Sequence, residues 1–185
     1  MPGYWIVVGS PENFEIAIGR GFDLFGFKST RRRETGTMRP GDKLIFYLTG
    51  IKKFGGIATV QSESYEDHRK IFTSEKKPGE DYPFRVKTKA DIILEEEQWL
   101  HVPDYVPLLE LTKKGAMKSW SLAFQGNLHV ISAADYSLIE REMRARKGRK
   151  AASKAKAAGR KPVARAKAAS RPRAKAAPIS GGTKR

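Results

Sequence analysis

Cysteine is absent from the 185 residues of this chain. Its absence excludes disulfide frameworks, zinc sites built on thiolates and cysteine nucleophiles. Long apolar runs are missing as well, since no segment approaches the ~18 apolar residues of a membrane-spanning helix. The first residues, MPGYWIVV, contain no basic segment, long apolar core or cleavage site, so no signal peptide is predicted. These absences favour an intracellular protein, which we expect in the cytoplasm.

Acidic residues are absent from residues 144–185, which hold 16 of the 36 lysines and arginines. Residues 1–143 contain 20 basic and 20 acidic residues, so the formal charge of +16 belongs entirely to the C-terminal segment. All 18 Phe, Trp and Tyr residues lie before residue 143. The sequence therefore predicts a neutral globular domain over residues 1–143, large enough for one apolar core, and a separate cationic tail over residues 144–185.

The tail has 13 alanines and no aromatic residue, so it cannot bury enough apolar area to offset the entropy of ordering. We therefore predict that it is disordered when free. Its Ala-Lys-Ala and Arg-Pro-Arg blocks resemble the Lys/Ala/Pro-rich tails of linker histones and of some bacterial nucleoid proteins, which implies association with the chromosome (nucleoid). A solubilising extension is the alternative, but sixteen cations without an acid favour nucleic-acid binding. The expected phosphate-binding residues of the tail are Lys147, Arg149, Lys150, Lys154, Lys156, Arg160, Lys161, Arg165, Lys167, Arg171, Arg173 and Lys175.

Short runs of β-branched and aromatic residues, bounded by turn residues, predict strands over residues 4–8, 43–48, 57–62, 84–88, 120–124 and 128–131. The last two runs flank Gln-Gly-Asn and predict a hairpin. Ser10 before Pro11, and Ser132 before an apolar helical stripe, predict the starts of two helices. Residues 22–27 are interpreted as a loop with apolar anchors. About six strands with short helices and no regular strand–helix alternation predict an α+β fold with a compact, curled or barrel-like sheet.

Motifs of catalytic and cofactor sites are incomplete in this sequence. The Gly-Arg-Gly at residue 19 begins like a dinucleotide fingerprint, but Leu24 occupies the third glycine position and no βαβ pattern follows. His68, His101 and His129 lack the spacing of metal ligands. The acidic residues 95–97 have no activated nucleophile to accompany them. We therefore expect a protein that is not an enzyme and that has no cofactor and no metal.

Aromatic residues stand beside small polar residues near the predicted strand ends, as Trp5 stands before Ser10 and Phe27 before Ser29. Such a mixture could form a pocket that stacks a flat base and contacts its edge with hydroxyl and amide groups. Burial of the same aromatic side chains in the core is the alternative. The pattern alone does not separate the two.

The order of these segments resembles the EVE domain, a family of the PUA-like superfamily that is related to YTH domains. The similarity extends over nearly all of residues 3–143, and its most specific segments are RPGDKLIFYLTG, KPGEDYPFRV and WSLAFQGNLH. The resemblance implies a PUA-like curled β-barrel with peripheral helices. It also implies a module that binds a modified base in DNA or RNA rather than a catalyst.

The resemblance further implies a base-binding pocket formed by the segment after the first strand, a following aromatic loop and the end of the second long strand. The matching residues are Ser10, Pro11, Asn13, Phe27, Lys28, Tyr47 and Thr49. YTH relatives enclose their base with tryptophans, whereas the matching loop here has Phe25 and Phe27. The resemblance therefore does not favour N6-methyladenine over a modified cytosine. Arg31, Arg32 and Arg33 are expected to contact the flanking phosphates.

These observations lead to three hypotheses for function. The first is a reader of a modified base, held on nucleic acid by a tail that ignores sequence. The second is an architectural protein that coats the chromosome without base selectivity. The third, suggested only by analogy with other PUA-like proteins, is an enzyme that modifies nucleic acid. Binding preference, absence of preference and turnover would distinguish them.

Overall fold

The computed structural model describes residues 1–74, 78–113 and 117–158, with side chains for all of these except 117–119 and 150–158. The strands are β1 (Tyr4–Gly9), β2 (Leu24–Phe27), β3 (Lys43–Leu48), β4 (Lys53–Val60), β5 (Tyr65–Glu66), β6 (Phe84–Ile93), β7 (Leu100–His101) and β8 (Leu128–Val130). The α-helices are α1 (Pro11–Gly19), α2 (Arg32–Thr35), α3 (Glu110–Lys113) and α4 (Ala133–Ala158). Short 3-10 helices lie at Ser29–Arg31, Glu96–Gln98, Val102–Asp104 and Met117–Phe124.

The strands form one curled, mixed sheet. Six of them follow the order β2-β6-β4-β3-β1-β8, while β5 pairs with β6 and β7 pairs with β4. Only β1 and β3 are paired in parallel, and the other pairs are antiparallel. The predicted α+β fold with a curled sheet of about six strands is thereby confirmed.

Several aromatic side chains of the core pack around the ring of Phe14, which α1 places against the sheet. The Phe14 ring centroid lies 5.6 Å from that of Phe22, 5.5 Å from that of Phe46 and 6.2 Å from that of Trp99. Gly55 in β4 makes this approach possible, because a Cβ there would lie 2.7 Å from the Phe14 ring. The continuous apolar runs of β1 and β3 are thus explained by burial on both faces of the sheet.

The two predicted helix starts are both present, with serine as the N-cap. The Ser10 hydroxyl accepts a hydrogen bond from the Asn13 N–H at 3.4 Å, and Pro11 occupies the first helical position. The Ser132 hydroxyl accepts from the Asp135 N–H at 3.1 Å. The Asp135 carboxylate accepts from the backbone N–H groups at the start of α3, at 2.7 and 2.9 Å, and so fixes α3 against α4.

Two sequence interpretations are wrong. Residues 24–27, interpreted as part of a loop, form β2 and pair with β6. Residues 120–124, predicted as a strand, belong to the 3-10 helix Met117–Phe124, so there is no hairpin with β8. A strand over residues 120–124 would place Leu122 on the same face as Trp120 and Phe124. Leu122 is instead 56% exposed, while the Phe124 ring is buried and stacks on the Tyr47 ring, with the centroids 4.6 Å apart. The stacking of Phe124 on Tyr47, rather than the alternation of apolar residues, determines which side chains of this segment are buried.

Helix α4 continues beyond residue 143, at which the sequence predicts the domain to end. The Gln98 side chain donates a hydrogen bond to the Arg146 carbonyl at 3.0 Å, so contact with the domain extends to that residue. The predicted boundary therefore falls inside a helix. Disorder was predicted for all of residues 144–185, but residues 144–158 continue α4. Residues 159–185 lie outside the described residues.

Candidate functional site

A cavity of about 420 Å³ opens at one edge of the sheet. Because β1 and β3 are parallel, their C-terminal ends bring Ser10 and Thr49 to this edge together. The Thr49 N–H donates to the Gly9 carbonyl at 2.8 Å and locks the two ends. The end of β2, the turn before β8 and the segment before β6 supply the remaining walls.

Aromatic rings form the inner walls of the cavity. The Phe25 ring lies 5.7 Å from that of Phe27, edge to face, and 5.0 Å from that of Phe72. The Phe72 ring lies 6.0 Å from that of Tyr82, again edge to face. Three of these rings are buried and Tyr82 is half-buried. Contacts of this geometry fix ring orientation, so the walls are rigid, flat apolar surfaces.

The rim of the cavity carries small polar and charged groups. It includes Ser10, Glu12, Lys28, Thr49 and Asn127. A hydrogen bond from the Ser10 hydroxyl, together with a backbone N–H, lowers the pKa of Glu12, so its carboxylate is ionised at neutral pH. The rim therefore offers hydrogen-bond donors and acceptors, with one charge of each sign, around an aromatic interior.

Asn13 holds one wall of the cavity in place. Its side-chain amide donates to the Thr73 carbonyl at 2.7 Å and accepts from the Thr73 N–H at 2.9 Å. It also donates to the Tyr82 hydroxyl at 3.4 Å. Asn13 is only 3% exposed, and its side-chain amide forms these hydrogen bonds within the protein. Its role is to position the segment that carries Phe72 and Tyr82.

Tyr82 is held in a conformation that its residue type rarely adopts. Its φ is +51°, in the left-handed region, where a bulky residue is strained. Its hydroxyl is hydrogen-bonded to Ser74 and Asn13, and burial raises the pKa of Tyr82. The strain is compensated by contacts that turn this ring into the cavity.

A buried arginine supports the same segment from behind. Arg85 is fully buried and donates to the carbonyl groups of Arg69, Asp81 and Tyr82. Its guanidinium also forms an ion pair with Asp67 at 2.8 Å. Hydrogen bonds from Arg69 hold the pKa of Asp67 well below its usual range. Because four partners surround one cation, the backbone behind Tyr82 is fixed at several points.

Arg31 and His129 lie beside the turn that closes the cavity. The Arg31 guanidinium forms an ion pair with Glu34 at 2.7 Å, and its Nη2 lies 3.1 Å from the place that a Cβ on Gly126 would take. Gly126 has a φ of +98°, so both space and conformation favour glycine here. Burial, together with the Arg31 charge, lowers the pKa of His129, which is therefore neutral at pH 7.

Five of the seven residues predicted for the pocket line this cavity: Ser10, Asn13, Phe27, Lys28 and Thr49. The other two do not line it. Pro11 begins α1. Tyr47 is buried on the core side, against the rings of Phe54 and Phe124.

The predicted phosphate contacts have different surroundings. Arg32 and Arg33 are exposed on α2, whereas Arg31 is partly buried and paired. Lys147 and Arg149 are exposed on α4, and Lys150, Lys154 and Lys156 lie further along the same helix. The others, Arg160, Lys161, Arg165, Lys167, Arg171, Arg173 and Lys175, lie outside the described residues.

Sequence reasoning missed the wall between residues 72 and 82. The sequence pattern predicts neither a strand nor a helix in this segment, yet Phe72, Thr73, Ser74 and Tyr82 line the cavity. The available signal was the Gly-Glu-Asp-Tyr-Pro turn directly before β6, since it stands next to a strand end. Two further lining residues were not predicted: Glu12, which is next to the predicted pocket residues Pro11 and Asn13, and Asn127, which lies in the predicted turn.

Within the part of the chain that the structure describes, no group of three His, Asp or Glu side chains is placed to hold a metal ion. None of the helices in residues 1–74, 78–113 and 117–158 is long and apolar enough to cross a membrane.

Comparison with known proteins places this architecture in a family. Residues 3–142 match the family model of the EVE domain. The chain is 30% identical over 148 residues to the UPF0310 protein PH1033 of Pyrococcus horikoshii, a match that covers 75% of this chain and 97% of that protein.

Solved structures share the fold at lower sequence identity. Rpa0253 from Rhodopseudomonas palustris superposes with a TM-score of 0.52 at 19% identity, covering 76% of this chain and 92% of that one. The YTH domain of the MRB1 protein from Zygosaccharomyces rouxii, solved in complex with N6-methyladenosine RNA, superposes with a TM-score of 0.53 at 13% identity. That match covers 77% of this chain and 87% of the YTH domain.

Proposed function

Because this chain belongs to the EVE domain family, we propose that it is a nucleic-acid-binding module whose cavity receives a single modified base. The observation that carries the proposal is the cavity of about 420 Å³ with rigid aromatic walls and a polar rim. Binding pockets for small ligands generally range from ~300 to 1,000 Å³ and combine apolar walls with a few placed polar groups. A base with part of its sugar has a matching size and the same division into flat faces and a polar edge.

The base must leave its stack, or come from a single strand, before it can enter. The half-buried Tyr82 ring then replaces the lost stacking, at about 1–3 kcal/mol for a base–aromatic contact, and the buried Phe72 ring supports it from behind. Groups on the rim contact the base edge. Glu12 accepts from an exocyclic amino group, and Thr49 and Asn127 can donate or accept.

The identity of the modification is a further part of the proposal. The YTH domain with a similar fold was solved with N6-methyladenosine RNA, which supports nucleic acid as the ligand. In this chain the aromatic walls are phenylalanine and tyrosine instead of tryptophan. A modified cytosine and N6-methyladenine therefore both stay within the proposal, in DNA or in RNA.

Affinity that is independent of the base is assigned to the C-terminal cations. Residues 1–143 are neutral, whereas residues 144–185 carry 16 positive charges without an acid. Lysine and arginine side chains neutralise phosphates without reading sequence. The tail is thus proposed to hold the protein on nucleic acid, and on the chromosome, while the domain selects the base.

A second candidate function is favoured by the same charge distribution. If the tail alone determines binding, the protein is an architectural DNA-binding protein without base selectivity. We expect no turnover of nucleic acid in either case, because membership of the EVE domain family implies a binding module rather than a catalyst.

The test is a binding screen of the full chain against oligonucleotides that carry single modified bases, with plain oligonucleotides as reference. Gly9 lines the cavity, and a Cβ there meets no atom within 4 Å, so Gly9→Leu should fill the cavity without a clash. Gly19→Leu is the matched control, since Gly19 also has open space but ends α1 outside the lining. We expect preference for one modification, lost in Gly9→Leu and kept in Gly19→Leu. Equal binding of all oligonucleotides would instead support the architectural role, and a changed oligonucleotide after incubation would indicate an enzyme.

A further inference from the structure

A second concave surface lies between α2 and β5. This groove has a volume of about 210 Å³ and is lined by Arg32, Gly36, Ser64, Tyr65, Glu66 and Phe84. Its aromatic side chains, Tyr65 and Phe84, are half-buried, so parts of both rings remain accessible. The Arg32 guanidinium carbon lies 5.8 Å from the centroid of the Phe84 ring.

The groove and the cavity are neighbours through two connections. Phe27 lines the cavity, Phe84 lines the groove, and the two residues are direct register partners on β2 and β6. Neighbouring strands are about 4.8 Å apart, so the sites are separated by little more than one side chain. Lys28 on the cavity rim and Arg32 over the groove also belong to one short segment of chain.

The charges around the groove favour a polyanion. Arg32 and Arg33 are exposed on α2. The Glu34 carboxylate forms an ion pair with Arg31 at 2.7 Å, and that pair is neutral. Glu66 shares the His68 ring with Asp81, so these three groups together carry one negative charge when His68 is protonated. The two exposed arginines exceed that charge and leave the groove positive.

We infer that this groove is a stacking platform for the nucleotide that flanks the base bound in the cavity. The inference rests on the proposed function, because it takes the ligand to be a nucleic-acid strand. A base that lies on Phe84 and Tyr65 displaces the Arg32 guanidinium from its position over the Phe84 ring, and the planar guanidinium can then stack on the other face of the base. Every base has such a face, so the platform adds affinity without adding sequence preference.

The experiment compares three ligands of the full chain: the preferred modified oligonucleotide, the same oligonucleotide with abasic residues on both sides of the modified base, and the modified nucleoside monophosphate. Phe84→Leu keeps an apolar side chain and removes the ring. Arg32→Gln leaves the core untouched and provides a second variant. Arg20→Gln is the control for loss of one cation, since Arg20 is an arginine paired with Asp23 at 2.6 Å.

Phe84→Leu and Arg32→Gln should each weaken binding of the intact oligonucleotide by roughly fivefold or more. Binding of the abasic oligonucleotide and of the monophosphate should change less than twofold, and Arg20→Gln should have little effect on any of the three. An unchanged affinity of both variants for the intact oligonucleotide, or an equal loss with the abasic one, would overturn the inference. If Gly9→Leu abolishes the preference for the modified base while Phe84→Leu and Arg32→Gln keep the affinity of the wild type, the stacking platform is refuted and the proposed function is kept. If the wild-type chain shows no preference for any modified base, the proposed function and the stacking platform are both refuted.

Discussion

Asn13 holds Thr73 through both of its backbone polar groups, and the two residues are 60 positions apart. Asn13→Ala would leave those groups without their partner at the cavity wall. Because unsatisfied buried polar groups are costly, we expect a loss of about 1–3 kcal/mol in the free energy of unfolding, together with weaker base binding. Chemical denaturation and oligonucleotide titration measure the two effects.

Asn127→Ala is the reference for this prediction, since it removes another side-chain amide from the cavity lining and leaves the hydrogen bonds between Asn13 and the Thr73 backbone in place. Stability of Asn13→Ala equal to the wild type, combined with lost binding, would assign Asn13 to direct contact with the base instead of to support of the wall.

His68 lies between two carboxylates, with Nδ1 2.6 Å from Asp81 and Nε2 3.0 Å from Glu66. Hydrogen bonds to Asp81 and then to Glu66 raise the pKa of His68 above its ordinary 6.5. A raised pKa in the folded state means that the stabilisation is complete below pH 6.5 and is lost as pH rises through the folded pKa. His68→Gln should therefore lower the melting temperature at about pH 5.5 and have little effect at about pH 9.

Thermal unfolding of wild type and variant at the two pH values checks this expectation. Taking the difference between the two proteins removes the contribution of other groups, including His129, whose pKa shifts in the opposite direction. A difference that grows with pH would contradict the assigned ion pairs.

Single residues also show the limit of sequence reasoning about the site. Thr49 and Ser10 were predictable because they directly follow apolar runs that end as parallel strands. Phe27 was assigned to the pocket, and it does line the cavity, but it is only 2% exposed and belongs equally to the core. Tyr82 could not be found, because its orientation depends on Asn13 and on a backbone conformation of positive φ.

At the scale of elements, the 3-10 helix Met117–Phe124 determines how much each of its aromatic side chains contributes to the free energy of unfolding. Phe124 is buried against Tyr47, whereas Trp120 is half-buried and covered in part by Lys52, with its Nζ 5.8 Å from the ring centroid. Phe124→Ala should therefore cost about 3–5 kcal/mol. Trp120→Ala should cost about 1–2 kcal/mol, because only part of its area is buried.

Urea denaturation of these variants measures the difference, with Leu122→Ala as a control that should stay within ~0.5 kcal/mol of the wild type. If Trp120→Ala were the most destabilising and Leu122→Ala also costly, the segment would have to be the strand that its alternation suggested.

Substitutions at Gly148 test how far helix α4 extends. This residue lies inside the helix, and a Cβ there would meet no atom within 4 Å. Gly148→Ala should therefore stabilise the helix locally by about 0.5–1 kcal/mol, while Gly148→Pro should break it. Amide hydrogen exchange of residues 144–149 should slow in the first variant and accelerate in the second. Identical exchange in both would mean that the helix ends near residue 143.

The elements that the sequence predicted well are those whose local pattern agrees with their environment. β1 and β3 are apolar runs because both faces are buried. β2 was missed because Gly26 interrupts its pattern, yet only glycine fits there, since a Cβ would lie 2.9 Å from both the Phe72 ring and the Tyr82 carbonyl. The glycine that obscured the strand is the one that permits the cavity wall to approach it.

At the scale of the whole molecule, the proposed function assigns base selection to the neutral domain and attachment to the C-terminal cations. The neutral domain carries the cavity, and the cations follow on α4 and in residues 159–185. Composition is sufficient to predict the uneven charge, whereas the contact of Gln98 with Arg146, beyond the predicted boundary at residue 143, could not be predicted from it. A chain shortened after residue 149 keeps that contact and retains a formal charge of +4.

The division of roles is tested most directly by salt titration of the full chain, the chain shortened after residue 149 and Gly9→Leu, each on matched plain and modified duplexes. Each phosphate contact contributes a slope of about −0.9 in log K against log salt, so half of the 16 tail cations give about −7, and the shortened chain should give about −1 to −3. The ratio of affinities for modified and plain duplex should be unchanged by shortening and should fall to about one in Gly9→Leu. Equal slopes for the full and shortened chains, or a preference that disappears with the tail, would contradict the account.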